Sequence, residues 1–137
     1  MTRFFTRIAA ASLMALVSTA AFAAEPENTL VISLKDGDVT IALRPDLAPK
    51  HVEQIKALTR KGAYDNVVFH RVIDGFMAQT GDVQFGNSAK DFNPAQAGMG
   101  GSDLPDIKAE FSQEPFVRGT VGMARAQSPD SANSQFF

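Results

Sequence analysis

No cysteine occurs in the 137 residues, and histidine occurs only twice. The first absence excludes disulfides, thiol nucleophiles and every zinc site that uses cysteine. The second makes a histidine-built metal centre a poor expectation. Neither sign of charge dominates, with 13 Lys+Arg against 15 Asp+Glu, so there is no basic footprint for nucleic acid. The chain also lacks H-E-x-x-H, G-x-S-x-G, an N-x-Ser/Thr sequon and any internal repeat. Gly98-Met99-Gly100-Gly101 has neither the preceding strand nor the helix-opening spacing of a phosphate cradle. What is present is a hydrophobic fraction of 45% against 20% charged, the balance of one globular domain.

Residues 1–23 read differently from the rest. Arg3 and Arg7 precede an apolar run from Ile8 to Val17, and Ala21-Phe22-Ala23 supplies a small-x-small cleavage site. This is the pattern of a secretory signal peptide. The apolar run is short for a spanning helix, which needs ~20 residues, so cleavage is expected rather than an anchor. Removing residues 1–23 makes the remainder more acidic. Residues 24–28 then form an N-terminal tail, and a domain is expected over 29–137.

Within that domain Leu30, Ile32 and Leu34 alternate with Val31 and Ser33, and Val39, Ile41 and Leu43 recur with the same period. Asp36-Gly37 between two such runs predicts a β-hairpin. The period then changes to that of a helix, with Ala48, Val52, Ile55 and Leu58 forming its apolar stripe. Asp46 is the expected N-cap, Pro49 suits the first turn, and Gly62 the C-terminal stop. Val67 to Ile73 predicts a strand, Met77 to Thr80 a short extended piece after the Gly75 break, and Val117 to Ala126 another strand. Gly81 to Leu104 predicts a long surface loop, a length that usually signals function or disorder. Gln127 to Asn133 is a polar turn. Short strands with one helix suggest an antiparallel barrel or sandwich. Ser134 to Phe137 begins a strand in which Phe136 and Phe137 must face opposite ways. Ending on an apolar strand suggests a C-terminally truncated sequence, expected by itself to be unstable and inactive.

His70, flanked by apolar residues, reads as structural or as support for a site. Asp74 and Asp82 read as turn carboxylates that accept backbone N–H groups. The segment Phe69-His70-Arg71-Val72-Ile73-Asp74-Gly75-Phe76-Met77-Ala78-Gln79-Thr80-Gly81-Asp82 is more specific. It resembles the hallmark segment of cyclophilin-type peptidyl-prolyl cis-trans isomerases. Gly122 to Ala126 (GMARA) and Ser134 to Phe137 (SQFF) are similar to that family's two later motifs, in the same order. The likeness runs from about Thr29 to Phe137.

The resemblance implies a mainly β fold: a closed antiparallel barrel of eight strands with capping helices, here without its C-terminal strands and second long helix. It implies that Arg71 is the catalytic residue, and that Phe76, Met77 and Phe137 line the proline pocket. Gln79, Arg125 and Gln135 would contact the substrate backbone, with Ala124 and Ala126 flooring the groove. Arg125 departs from the asparagine of many members, which matches the exported bacterial branch and narrows the groove. The implied partners are proline-containing unfolded or partly folded polypeptides. A monomer in a Gram-negative periplasm is expected, with no metal, no cofactor, no nucleic acid and no membrane association after cleavage.

The residue chemistry agrees with this reading. Turning an X–Pro bond breaks amide resonance against ~18–20 kcal/mol, and uncatalysed exchange takes ~10–100 s. No bond is made or cut, so no nucleophile or cofactor is needed. A guanidinium can donate to the prolyl nitrogen, whose lone pair localises only in the twisted state. Each residue also has a plainer use: Arg71 could pair with Asp74 or Asp82, and Phe76, Met77 and Phe137 could be core. The competing functions are a proline-binding or chaperone module with little catalysis, and a generic exported barrel.

Overall fold

The structure is a computed structural model and describes residues 26–90 and 92–137. The expected signal peptide and the start of the tail lie outside the described residues. The rest of the tail, Pro26–Asn28, is a single 3-10 turn. Glu27 in that turn meets Lys56 and Arg60, exposed ion pairs that contribute little.

Strands β1 (Thr29–Leu34) and β2 (Gly37–Ala42) form the expected antiparallel hairpin, with Leu34 opposite Gly37. The turn therefore falls on Lys35–Asp36, and Gly37 opens β2 instead of sitting in the loop. Leu30 and Ile32 are half-buried while Val31 and Ser33 are exposed, as the alternation requires.

Helix α1 spans Pro49–Arg60 and buries His51, Val52, Ile55 and Leu58. Its end is a Schellman motif: the Gly62 N–H donates to Thr59 and the Ala63 N–H to Leu58, with Gly62 at φ +68°. Its start differs from expectation. Asp46 does not cap; it turns back onto Arg44, whose Nη2 lies 2.7 Å away. Ala48 is the N-cap residue and offers no side-chain acceptor. The free N–H groups of Lys50 and His51 donate to the Glu110 carboxylate at 3.1 Å. A helix start needs an acceptor, and here it arrives from a loop 59–60 residues away, where no local pattern could reveal it.

Strands β3 (Arg71–Ile73) and β4 (Met77–Gln79) form a second hairpin, in which Arg71 lies opposite Gln79 and Ile73 opposite Met77. The strand expected over 67–73 is thus shorter, with Val67 making only an isolated bridge to Asn87. The array continues by single bridges: Thr80 pairs with Phe136, and Phe136 with Met123. Gly122 and Phe137 exchange two N–H···O bonds of 2.9 Å, and Ala124 N–H donates to Gln135. So the strand expected over 117–126 is reduced to residues 122–124.

No closed barrel forms among the described residues. They hold two separate two-stranded sheets, fewer paired strands than the incomplete eight-stranded barrel the resemblance implied. Closure needs continuous ladders at a consistent stagger, and single bridges do not supply them. The apolar residue Val72 is accordingly 67% exposed. Among the described residues the buried apolar ones are Val52, Ile55, Leu58, Ile107, Ala132 and Phe136. Tyr64 meets the Phe136 ring edge-on at 5.8 Å. Residues 132–137 alternate strictly, with Ala132, Ser134 and Phe136 buried and the residues between them less so.

The described residues of 81–104, 81–90 and 92–104, are irregular, as expected, and are ordered by side chains. Asn87 and Asn93 accept the N–H groups of Ala89 and Ala95, each making a tight local turn. Asn133 ties down the end of the segment, accepting from Ser102 and donating to the Leu104 carbonyl. Among the described residues no helix is long and apolar enough to cross a membrane.

Candidate active site

The β3–β4 hairpin sets the geometry. Residues directly opposite in an antiparallel pair project to one face, so Arg71, Ile73, Met77 and Gln79 share a face, and Val72 and Ala78 take the other. The same alternation sends Gln135 and Phe137 away from the core side of residue 136.

A cavity of about 1360 Å³ is lined by Arg71, Phe76, Met77, Gln79, Ala124, Arg125 and Phe137, together with residues of β1, β2 and α1. Pockets for small ligands usually span about 300–1,000 Å³. This one is larger and also takes in Glu110, Phe111 and Phe116. Seven of the nine expected site residues therefore meet in one depression. Ala126 and Gln135 do not line it.

Arg71 is exposed, and among the described residues its guanidinium makes no ion pair or hydrogen bond. The plainer reading, pairing with Asp74 or Asp82, is not what forms. Phe76 at the hairpin tip is 74% exposed. Phe137 stacks on Phe116, with ring centroids 6.1 Å apart and planes at 24°. Sequence reasoning missed Phe116; its position after Pro115 gave no periodic signal. Arg125 turns its Nη1 onto the carbonyls of Ala126 and Gln127. Ala126 is exposed and donates its N–H to Ser131.

Gln79 Nε2 donates to Gln135 Oε1 at 2.9 Å, so the two glutamines act as one polar unit. Asp82 is fully buried and accepts four backbone N–H groups, as expected of a turn carboxylate. His70 makes no hydrogen bond at either ring nitrogen among the described residues, and its ring lies against Gly98, which fits a packing role.

His51 Nδ1 lies 2.6 Å from Glu110 Oε2, at the edge of the same cavity. No group of three or more metal-ligating side chains converges among the described residues. Partial burial by itself would raise the Glu110 pKa. The hydrogen bonds from the His51 ring and from the N–H groups of His51 and Lys50, with a smaller electrostatic contribution from His51, outweigh it and hold the carboxyl below the usual carboxylate range. A lowered folded-state pKa contributes stability that is complete above the unfolded value of about 4.3 and is lost as pH falls through the folded value. Glu110→Gln is expected to cost about 1 kcal/mol at pH 7. Urea midpoints should show that gap closing as pH drops below 4; a gap independent of pH would remove the charged cap.

A hairpin carrying Arg71, Met77 and Gln79 on one face is joined by single bridges to a Gln-Phe-Phe segment. The family described as "Cyclophilin type peptidyl-prolyl cis-trans isomerase/CLD" matches residues 29–137, and this chain belongs to it. The family is one of isomerases acting on X–Pro bonds. A relative in Brucella suis biovar 1, named "Probable peptidyl-prolyl cis-trans isomerase", is 67% identical over 134 residues, covering 95% of this chain and 68% of the relative. A cyclophilin-type isomerase of Cryptosporidium parvum, crystallised in the presence of the dipeptide Ala-Pro, is 30% identical with a TM-score of 0.65. That alignment covers 79% of this chain and 65% of the other. A cyclophilin of Hirschia baltica is 26% identical with a TM-score of 0.62, over 82% of this chain and 57% of that one. The chain thus spans less than two thirds of either solved structure.

Proposed function

We propose that the groove binds an X–Pro segment and lowers the barrier to rotation about its prolyl bond. The observation that carries this is the register of β3 on β4, which sets Arg71 directly across from Gln79 in a cavity shared with Met77 and Phe137. In this reading Phe76, Met77 and Phe137 hold the proline ring. Gln79 and Arg125 hold the peptide backbone against Ala124, and Gln135, outside the cavity with Ala126, acts through its bond to Gln79. Arg71, unoccupied by any described side chain, donates to the prolyl nitrogen as resonance is lost. That bond exists only in the twisted state, so it raises turnover and leaves ground-state binding alone.

The same reading extends to setting. Residues 1–23 direct export, and the substrates are proline-containing segments of unfolded or partly folded polypeptides, met by a monomer in the periplasm of a Gram-negative cell. A relative crystallised in the presence of the dipeptide Ala-Pro supports the substrate chemistry; the leader pattern supports the compartment. The test is exchange between cis and trans resonances of a blocked Ala-Pro tetrapeptide by NMR. Faster exchange with the full chain supports catalysis and overturns the expectation that this sequence is inactive by itself, whereas binding without exchange would reduce the groove to a proline-holding module. N-terminal sequencing of the product from a periplasmic extract checks cleavage after Ala23.

A further inference from the structure

Asp82 touches nothing that would react, yet it sits at the root of the groove's polar side. Its Oδ1 accepts the N–H groups of Gln84 and Phe85 at 3.1 and 2.9 Å, closing its own turn. Its Oδ2 reaches forward to the N–H groups of Gly98 and Gly100 at 2.7 and 3.0 Å. Four donors match the acceptor sites of a carboxylate, and among the described residues no cation shares them.

The two glycines pass the constraint on. Gln135 Nε2 donates to the Gly98 carbonyl at 3.0 Å and to the Gly100 carbonyl at 2.7 Å. Both N–H bonds of that amide are thereby fixed, which leaves its Oε1 one direction, toward Gln79 Nε2. Gln79 in turn lies opposite Arg71. The 98–100 backbone has little room to drift. A Cβ at Gly100 would stand 2.6 Å from Asp82 Oδ1, and one at Gly98 would stand 2.8 Å from the His70 ring.

We propose that Asp82 is a positioning residue for substrate: through Gly98 and Gly100 it fixes the Gln135 amide, and through that the Gln79 amide. This rests on the reading of the groove as an X–Pro site. The carboxylate matters as an acceptor of four N–H groups, so an isosteric amide is the informative change. Asp82→Asn keeps Oδ1 for the local turn and turns an NH₂ group toward two N–H donors, releasing 98–100 while sparing 82–85.

The experiment compares the full wild-type chain, Asp82→Asn, Gln135→Ala and the double variant on a blocked Ala-Pro tetrapeptide. Losing oriented backbone contacts made equally in ground and transition states raises KM by about fivefold with kcat nearly unchanged. If Asp82 acts through Gln135, Asp82→Asn adds no further KM change in the Gln135→Ala background. Additive losses, or a fall in kcat alone, overturn the proposal. Should Asp82→Asn fail to fold, amide resonances decide. Peptide binding should shift the Gly98 and Gly100 N–H signals in wild type and not in Gln135→Ala, because coupling between two sites is reciprocal. Shifts that persist without the Gln135 amide overturn the proposal as well. A wild-type chain that neither binds nor isomerises the peptide is a different result: it overturns the groove reading itself, and this inference with it.

Discussion

Arg71→Ala should lower kcat on an X–Pro peptide by about 10²–10³-fold, the usual cost of removing one donor aimed at charge that develops in a transition state. KM should change far less. The split follows from where the guanidinium stands. It has no described partner in the resting protein, so its removal leaves no buried acceptor stranded and no ion pair broken. It is exposed at the start of β3, so thermal stability should hardly move. Arg71→Lys separates charge from shape. A lysine keeps the charge but not the planar fork of donors, and should recover only a fraction of the rate. Equal turnover in wild type and Arg71→Ala would remove this residue from the chemistry and leave the groove as a binding surface.

The second large effect divides two neighbours. Phe136 is 8% exposed, meets Tyr64 edge-on, and lies between Thr80 on one side and Met123 on the other. Phe136→Ala should cost about 3–5 kcal/mol, a large share of a total that is typically about 5–15 kcal/mol. Phe137, 36% exposed and facing the cavity, should cost little stability when truncated. It should instead raise KM by about tenfold, since an apolar ring loses a wall of its pocket. Urea unfolding and peptide kinetics on both variants read the two quantities separately. A Phe137→Ala chain as unstable as Phe136→Ala would mean that both rings serve the core.

The opposed directions of these two rings were legible in the sequence, because period two admits no other arrangement in an extended segment. The α1 stripe and its Gly62 stop were legible for the same kind of reason: helical spacing and a left-handed C-terminal residue are local properties. Asp82 as an acceptor of backbone N–H groups followed from turn chemistry. What stayed hidden depends on distant chain. Glu110 caps α1 from a loop, displacing the expected Asp46 cap, and no spacing encodes a contact across 59 residues. Phe116 stacks on Phe137 from an irregular segment without periodicity. Gln54, which the helical pattern puts on the polar face, donates to the carbonyls of Pro105 and Asn133. The segment over 117–126 has strand-forming residues, but propensity does not say how much of a strand finds a neighbour to pair with. The nine site residues came from motif resemblance. Spacing alone could not have distinguished Arg71 in a groove from Arg71 in a surface ion pair.

The bridges at Thr80–Phe136 and Met123–Phe136 carry a kinetic consequence. The Thr80–Phe136 bridge joins segments far apart along the chain, whereas Met123–Phe136 closes a much shorter loop, each through a few main-chain bonds. Closing the larger loop precedes any return from its contacts, so the Thr80–Phe136 side of the seam should assemble late in folding. It should also open without the rest of the molecule, at a fraction of the global unfolding free energy. Amide hydrogens of Gly122, Ala124 and Phe137 would then exchange faster than those in the middle of α1. A peptide lying across the seam would slow that exchange, since a ligand that favours the closed form stabilises it by mass action. A groove that binds peptide would thus be fastened by what it binds.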